Sequence, residues 1–478
     1  MRGNYKQSGV YRRGYLIVKR FISLGLAIIM ITSLILTGCG SQGKGPAADP
    51  VKEPSAPVTA PKTETSAPAD PEPAKPEPAK PTTLNFWTFQ ELHKSFMDDA
   101  VETWNKAYSD KPIELKVDVY PFDDMHNKLL IALQSGTGAP DIVDIECGRF
   151  PTFLKGTPAL AELNRVVEPI KDKLIMGRMD NYAKDGKYYG IDYHVGAQVI
   201  YYNKEILDQA GVNADDIKTW EDYIAAGKII MEKTGKPMTT LEVTDHWTYY
   251  PLITMQNSDY LTADGTPQLD NEANIKSLQL LSDMLYKDEI AILAPGGWHH
   301  AEEYWAWMNQ GNAASVWMPM WYMGRFTQYM PDLKGKMIIR PMPVFQDGMK
   351  SAGMGGTGTA VTIQSKNEDL AVDFLAESKL SLEGSIKTWT ILGFDPIRKD
   401  AWSDPAMEAD NEYTQYFGSD IFSTLQSIVS DIGPIHYGDL YPTALSLVQK
   451  NVMFKVLKEQ SQTPEQALKE ANEELKMK

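Results

Sequence analysis

The 478-residue sequence predicts a helix-rich α/β fold, on three observations. β-prone runs alternate with helical stretches at the start of the body, glycine and proline clusters separate them, and later segments place helix caps ahead of apolar stripes. The first run, Leu84-Asn85-Phe86-Trp87-Thr88-Phe89, is rich in aromatic residues and reads as a strand. A helical stretch continues to about Ala107, and Ile113-Glu114-Leu115-Lys116-Val117-Asp118-Val119 then alternates with the period of a strand. A second helix is predicted from about Asp123 to Gln134. Gly136-Thr137-Gly138-Ala139-Pro140 breaks it before a short apolar strand, Asp141 to Ile145. Strand, helix, strand, helix, strand implies parallel pairing through crossover helices.

Beyond this unit the signals are mostly helical. Thr219 can cap a helix in which Trp220, Tyr223, Ile224, Gly227 and Met231 share a face. Ser365, with Glu368 three residues on, predicts a capping box ahead of Ala371, Val372 and Leu375. Thr463-Pro464-Glu465-Gln466 predicts another, with proline at the first helical position and Leu468, Ala471 and Leu475 as its apolar stripe.

The first 82 residues do not read as globular. Residues 1–38 carry Arg2, Lys6, Arg12, Arg13, Lys19 and Arg20, no acid, and an apolar run from Phe21 to Leu36, the pattern of an export signal. Sixteen residues are short for the roughly 20 that a membrane span needs. The run stops at Leu36-Thr37-Gly38-Cys39, which resembles a bacterial lipobox, so cleavage before an acylated Cys39 is expected. From residue 39 to 82 the chain is mostly Pro, Ala, Lys, Glu, Ser and Thr, and eleven of the 30 prolines lie here. No core can be built from it. It reads as an extended tether with a reach on the order of 100 Å. The remaining residues, 83–478, suit two lobes.

Losing the six basic residues of the signal takes the formal charge from −16 to −22. So acidic a chain is a poor nucleic-acid binder, because lysine and arginine must replace phosphate counterions. With Cys39 acylated, Cys147 has no disulfide partner, and one cysteine does not make a structural zinc site. His299-His300-Ala301-Glu302-Glu303 lacks the second histidine of a zinc-protease motif. No nucleophile elbow, phosphate loop or dinucleotide fingerprint is present: Gly353-Met354-Gly355-Gly356 lacks the strand and helix setting. The sequence therefore names no catalytic residue, metal or cofactor. Paired carboxylates of a cell-surface glycoside hydrolase or lyase stay open as an alternative, since 63 acids make accidental pairs inevitable.

Four stretches, in this order, carry a family resemblance: Asn85-Phe86-Trp87; Gly138-Ala139-Pro140-Asp141-Ile142-Val143; Tyr189-Gly190-Ile191-Asp192-Tyr193 through Val199-Ile200-Tyr201-Tyr202-Asn203-Lys204; and Gly311-Asn312-Ala313-Ala314 leading to Trp317. Together they resemble the extracellular sugar-binding proteins of ABC importers, of the maltose-binding type, over about Leu84 to Leu475. The resemblance implies a two-lobed, type II periplasmic-binding-protein-like fold with hinge strands and a ligand cleft. It implies lobe I at about 83–195 and 353–395, and lobe II at about 203–350 and 400–478. It implies a monomer that delivers a sugar or oligosaccharide to permease subunits; the lipobox and the long tether add the expectation of a lipid anchor on the outer face of the cell membrane of a Gram-positive-type bacterium. The glycines at 353, 355, 356 and 358 suit a hinge as the chain returns to lobe I; without the resemblance an ordinary loop suits them equally.

A sugar cleft needs aromatic platforms beside polar side chains, because sugars offer both hydroxyls and apolar C–H faces. Five tryptophans fall between positions 298 and 321. Any single one is more readily a core residue, and Trp305 and Trp307 must face different sides of a helix. Trp317 and Trp321 are the preferred platforms because they bracket Met318-Pro319-Met320 at a strand end. Trp87, with Glu91 just beyond it, and Trp247, after a presumed strand Thr239 to Val243, are further candidates. By the resemblance, Glu146 and Arg149 occupy a ligand-binding position, although Cys147-Gly148 between them unsettles the alignment. Asp192 and His194 lie where related proteins offer an acid to a sugar hydroxyl. The stretch Trp317 to Phe326 resembles the subgroup for lactose or arabinose-type oligosaccharides.

Overall fold

The computed structural model describes residues 79–346, 348–433 and 435–478. The signal, Cys39 and nearly all of the tether lie outside them.

Strand β1 (Thr82–Thr88) is followed by helix α1 (Glu91–Ala107), β2 (Ile113–Val119), α2 (Phe122–Ser135) and β3 (Ile142–Glu146). β1 pairs in parallel with both β2 and β3, as crossover helices require. Successive residues of β1 face opposite sides: Phe86 packs in a core with Phe96 and Trp104 of α1, Trp87 in one with Met125 and Leu129 of α2. The strand is thus covered by helices on both faces. A short strand, β4 (Ile191–Asp192), lies at the far edge of the same sheet.

The chain then crosses to a second lobe. β5 (Gln198–Asn203) is the centre of a three-stranded antiparallel sheet, and all six of its residues are buried. Asn203 ends the strand and caps the next helix, its side chain accepting from the Glu205 and Ile206 N–H groups. Helix α3 (Trp220–Thr234) begins with a reciprocal capping box between Thr219 and Asp222. Helix α4 (Glu302–Asn309) leads to β6 (Ser315–Pro319), and β7 (Met337–Pro341) flanks β5 on its other side. β8 (Ser351–Ala352) leads back to the first lobe, where β9 (Thr357–Val361) runs antiparallel between β3 and β4. Helices α5 (Glu368–Leu380) and α6 (Leu382–Leu392) complete that lobe, and the chain ends on α7 (Pro464–Leu475) in the second. α7 has the capping box expected at Thr463 and Gln466.

The box expected at Ser365 does not form. Ser365 donates instead to Asp141 Oδ1 at 2.5 Å and accepts from Asn367 N–H, so α5 starts at Glu368 without a side-chain cap. A tertiary carboxylate outcompetes the local helix end.

Candidate functional site

Three segments cross between the lobes and are tied to one another by hydrogen bonds. His194 pairs with Pro396 and Ala197 with Gly353, while Met354 N–H donates to Gly196 O at 2.8 Å. Asp395 accepts from the Gly196 and Ala197 N–H groups at 3.2 and 2.7 Å. Burial pushes its carboxyl up to about 7 against the pull of those donors.

Asp192 joins the first and second crossings. Its Oδ2 accepts from Arg178 Nη2 at 2.8 Å and from the Tyr182 hydroxyl at 2.7 Å; its Oδ1 accepts from Thr357 and His194 N–H. Arg178 also reaches the Gly355 carbonyl at 2.5 Å. Burial alone would raise the Asp192 carboxyl, but the Arg178 guanidinium, helped by the Tyr182 hydroxyl, brings it below its ordinary value. Gly356 has φ +141°, and a Cβ there would lie 2.2 Å from Arg178 Nη2, so this ion pair requires glycine. Gly358 is needed for close approach instead of rotation, since a Cβ would meet the Tyr182 ring at 2.5 Å.

Across the Gly355 turn lies an aromatic wall from the second lobe. A Cβ on Gly355 would stand 3.2 Å from Trp321 Nε1 and 3.4 Å from the Trp247 ring. The two indoles meet edge to face at 5.2 Å, and Trp321 Nε1 donates to Met354 O at 3.0 Å. His300 stacks on Trp321 at 5.6 Å and 24°. Behind the wall, buried Glu242 accepts from the Trp247 N–H at 3.0 Å and the His299 N–H at 2.8 Å, fixing two loops with one carboxylate. Burial raises that carboxyl well above its usual range despite these donors.

The turn after β3 in the first lobe meets the same glycine-rich crossing, Cys147 N–H donating to Gly356 O at 3.0 Å. Glu146 is partly buried, accepts from Arg149 N–H at 3.1 Å and from the Cys147 thiol at 3.1 Å, and is raised by burial. Cys147 also reaches the Tyr437 hydroxyl of the second lobe at 3.1 Å, and burial pushes its thiol well up, so it is an unreactive packing residue here. Leu92, at the start of α1, lies 3.4 Å from a Cβ placed on Gly324, so the lobes also meet beside exposed Glu91.

Of the residues singled out from sequence, Trp247 and Trp321 come together at the crossing, while Glu146 is half-buried in the turn after β3 and Glu91 is exposed at the start of α1. Arg149 is exposed and paired with Asp123 at 2.8 Å, a contact worth about 0–1 kcal/mol. Four expectations need correction. Trp317 is 0 % exposed, edge-on to Trp220 at 5.4 Å, with its N–H on Thr248 O at 3.2 Å: it is core, not cleft wall. Trp87 is buried and its ring is covered by Lys128 Nζ at 4.1 Å. Asp192 has both oxygens doubly occupied by protein donors and no lone pair left for a sugar. His194 is buried against Phe394 at 4.8 Å and lowered to about 3 by burial, so it packs the hinge as a neutral ring. Sequence reasoning missed Arg178, Glu242 and Tyr437. None has a local motif: Arg178 acts on Asp192 fourteen positions on, Tyr437 on the other lobe, and Glu242 joins nearby Trp247 to His299, 57 positions on.

Against known proteins, a family model described as bacterial extracellular solute-binding protein matches residues 87–377. The chain is 50% identical over 393 residues to the arabinooligosaccharide-binding protein of Halalkalibacterium halodurans, spanning 82% of this chain and 88% of that one. It is 50% identical over 401 residues to the arabinooligosaccharide-binding protein of Bacillus subtilis, spanning 83% and 92%. Among solved structures, the GacH receptor of Streptomyces glaucescens superposes with a TM-score of 0.68 at 21% identity, over 83% of this chain and 97% of that one. The binding protein of B. animalis subsp. lactis solved with beta-1,6-galactobiose gives the same values. At that identity the likeness is one of fold.

Proposed function

Because this chain belongs to the bacterial extracellular solute-binding protein family, serving ABC importers as a binder and not as an enzyme, we propose that its cargo is an arabino-oligosaccharide held between the lobes. The observation that carries the reading is the indole wall of Trp247 and Trp321 beside the Gly355 crossing. A ring laid on an indole face exchanges water for dispersion and C–H contact, and Glu146 offers a carboxylate from the opposite lobe. Two relatives at 50% identity over four-fifths of the chain, both named for arabino-oligosaccharides, support the choice of sugar.

The finer organisation belongs to the same proposal. Residues 1–38 are a lipoprotein signal peptide, an acylated Cys39 anchors the protein to the outer face of the cell membrane, and residues 39–82 are the tether of a monomeric binding body. Among the described residues no helix is long and apolar enough to cross a membrane.

The experiment is a calorimetric titration of the protein with arabinotriose, maltotriose and lactose, backed by thermal shift. A ligand binding only the native state stabilises it by RT ln(1 + [L]/Kd), about 2.7 kcal/mol at 100-fold excess over Kd. Saturable heat and a raised melting temperature with arabinotriose, at least tenfold tighter than with the others, are expected. Tighter binding of maltotriose or lactose overturns the sugar assignment, and release of reducing ends during incubation overturns the transport reading. Fractionation of cells carrying Cys39→Ala tests the anchor: the variant should leave the membrane fraction or stay unprocessed.

A further inference from the structure

Trp298 stands apart from the other ten tryptophans: among the described residues it alone is exposed, at 38 %. It is also the end of a continuous aromatic track. From the hinge outward, Trp247 meets Trp321 at 5.2 Å, Trp321 stacks with His300 at 5.6 Å, and His300 meets Trp298 at 5.5 Å. His300 is kept neutral by burial, at about 3, and its Nε2 has no hydrogen-bond partner.

The loop that presents Trp298 is held on both sides. Gly297 O accepts from Val243 N–H at 2.9 Å, and His299 N–H donates to Glu242 at 2.8 Å. His299 O accepts from Trp305 Nε1 at 2.8 Å and from the Tyr322 hydroxyl. Gly296 and Gly297, with φ of +74° and +86°, make the tight turn that aims the indole outward. An exposed indole on so constrained a backbone loses little freedom when a ring settles on it, which is what a platform requires.

The track has a closed end and an open end. Toward the hinge it runs to the Gly355–Gly356 turn and the Arg178–Asp192 pair. Beyond them Tyr437 and Tyr441 of the second lobe press on Cys147 and Gly148 of the first, with Tyr441 3.2 Å from a Cβ placed on Gly148. Toward Trp298 it opens to solvent.

We propose that Trp298 is an outer subsite that selects for chain length: a short oligosaccharide occupies the closed end over Trp247 and Trp321, and only a longer one also covers Trp298. This rests on the arabino-oligosaccharide reading. The test is calorimetric titration of the full protein, Trp298→Ala and Trp298→Tyr with arabinobiose and arabinopentaose, after melting each variant without ligand. Trp298→Ala is expected to keep the melting temperature and the arabinobiose Kd within twofold while weakening arabinopentaose at least fivefold, with Trp298→Tyr restoring most of the loss. Equal weakening at both lengths, or no weakening at either, overturns the proposal while leaving the sugar assignment standing. If the unmodified protein binds neither arabinan fragment, the sugar assignment fails, and the comparison is made with xylobiose and xylopentaose. A length-selective loss there upholds the subsite, and its absence, or no binding at all, overturns it.

Discussion

Alanine at position 317 and alanine at position 321 are expected to fail in different ways. Trp317 has no solvent exposure, lies edge-on to Trp220 and Tyr223 at 5.4 and 6.0 Å, and donates its indole N–H to Thr248 O. Truncating a buried tryptophan removes its transfer energy and leaves a cavity, about 3–5 kcal/mol in all. Measured against a total stability of about 5–15 kcal/mol, that is a large share. Trp321 is half-buried, and its loss removes the Met354 hydrogen bond, about 1 kcal/mol, with part of its packing. Its larger effect should fall on binding, where a lost stacking face costs about 1–1.5 kcal/mol, or about fivefold to tenfold in Kd. Urea unfolding followed by far-ultraviolet circular dichroism gives the first quantity without relying on tryptophan fluorescence, and calorimetric titration with arabinotriose gives the second. The reasoning is refuted if Trp321→Ala unfolds as early as Trp317→Ala yet binds normally, or if Trp317→Ala keeps its midpoint and loses affinity.

Two further outcomes follow from the polar interior. His126 donates from Nδ1 to Phe122 O at 2.7 Å and accepts at Nε2 from Glu146 N–H at 3.0 Å, and burial lowers it to about 4. The unfolded chain then binds the extra proton between pH 4 and 6.5, so this contribution is complete above pH 6.5 and is lost as pH falls toward 4. The stability difference between the unmodified protein and His126→Gln should shrink by about 2 kcal/mol from pH 7.5 to 5 in urea titrations, and a constant difference contradicts the assignment. Arg178→Met leaves the Asp192 carboxylate buried without its cation and should cost about 3–5 kcal/mol. Adding Asp192→Asn should then cost less than it does alone, and strict additivity in the double-mutant cycle would show that the two do not act as a pair.

The first lobe was the most legible part of the sequence. Alternation at Ile113–Val119, the glycine and proline break after α2 and the short apolar run before Glu146 each depend on neighbours within a few residues, and each element formed close to where the pattern placed it. Ser365 shows the limit of that locality. Its spacing to Glu368 has the form of a capping box, but Asp141, more than 200 residues earlier, is brought to 2.5 Å by β3 pairing with β9 and takes the hydroxyl. A motif whose competitor is that distant cannot be ranked from sequence.

The site was legible in kind but not in detail, and Trp317 shows why. A strand end next to a proline does deliver side chains to one place, and Trp321, just past β6, reaches the crossing. Trp317 itself lies inside β6, whose five residues are all buried, because β6 has the tryptophan side packed on α3 and the Val316 and Met318 side packed in a second core. A strand buried on both faces loses the alternation that would separate core from cleft, since both sets of side chains are apolar. The residues that complete the site therefore come from loops fixed by tertiary contacts. Glu242 anchors the backbones of Trp247 and His299, and His299 in turn fixes the flanking Trp298 and His300. Their shared surface is created by one buried carboxylate, and no spacing between positions 242, 247 and 299 announces it.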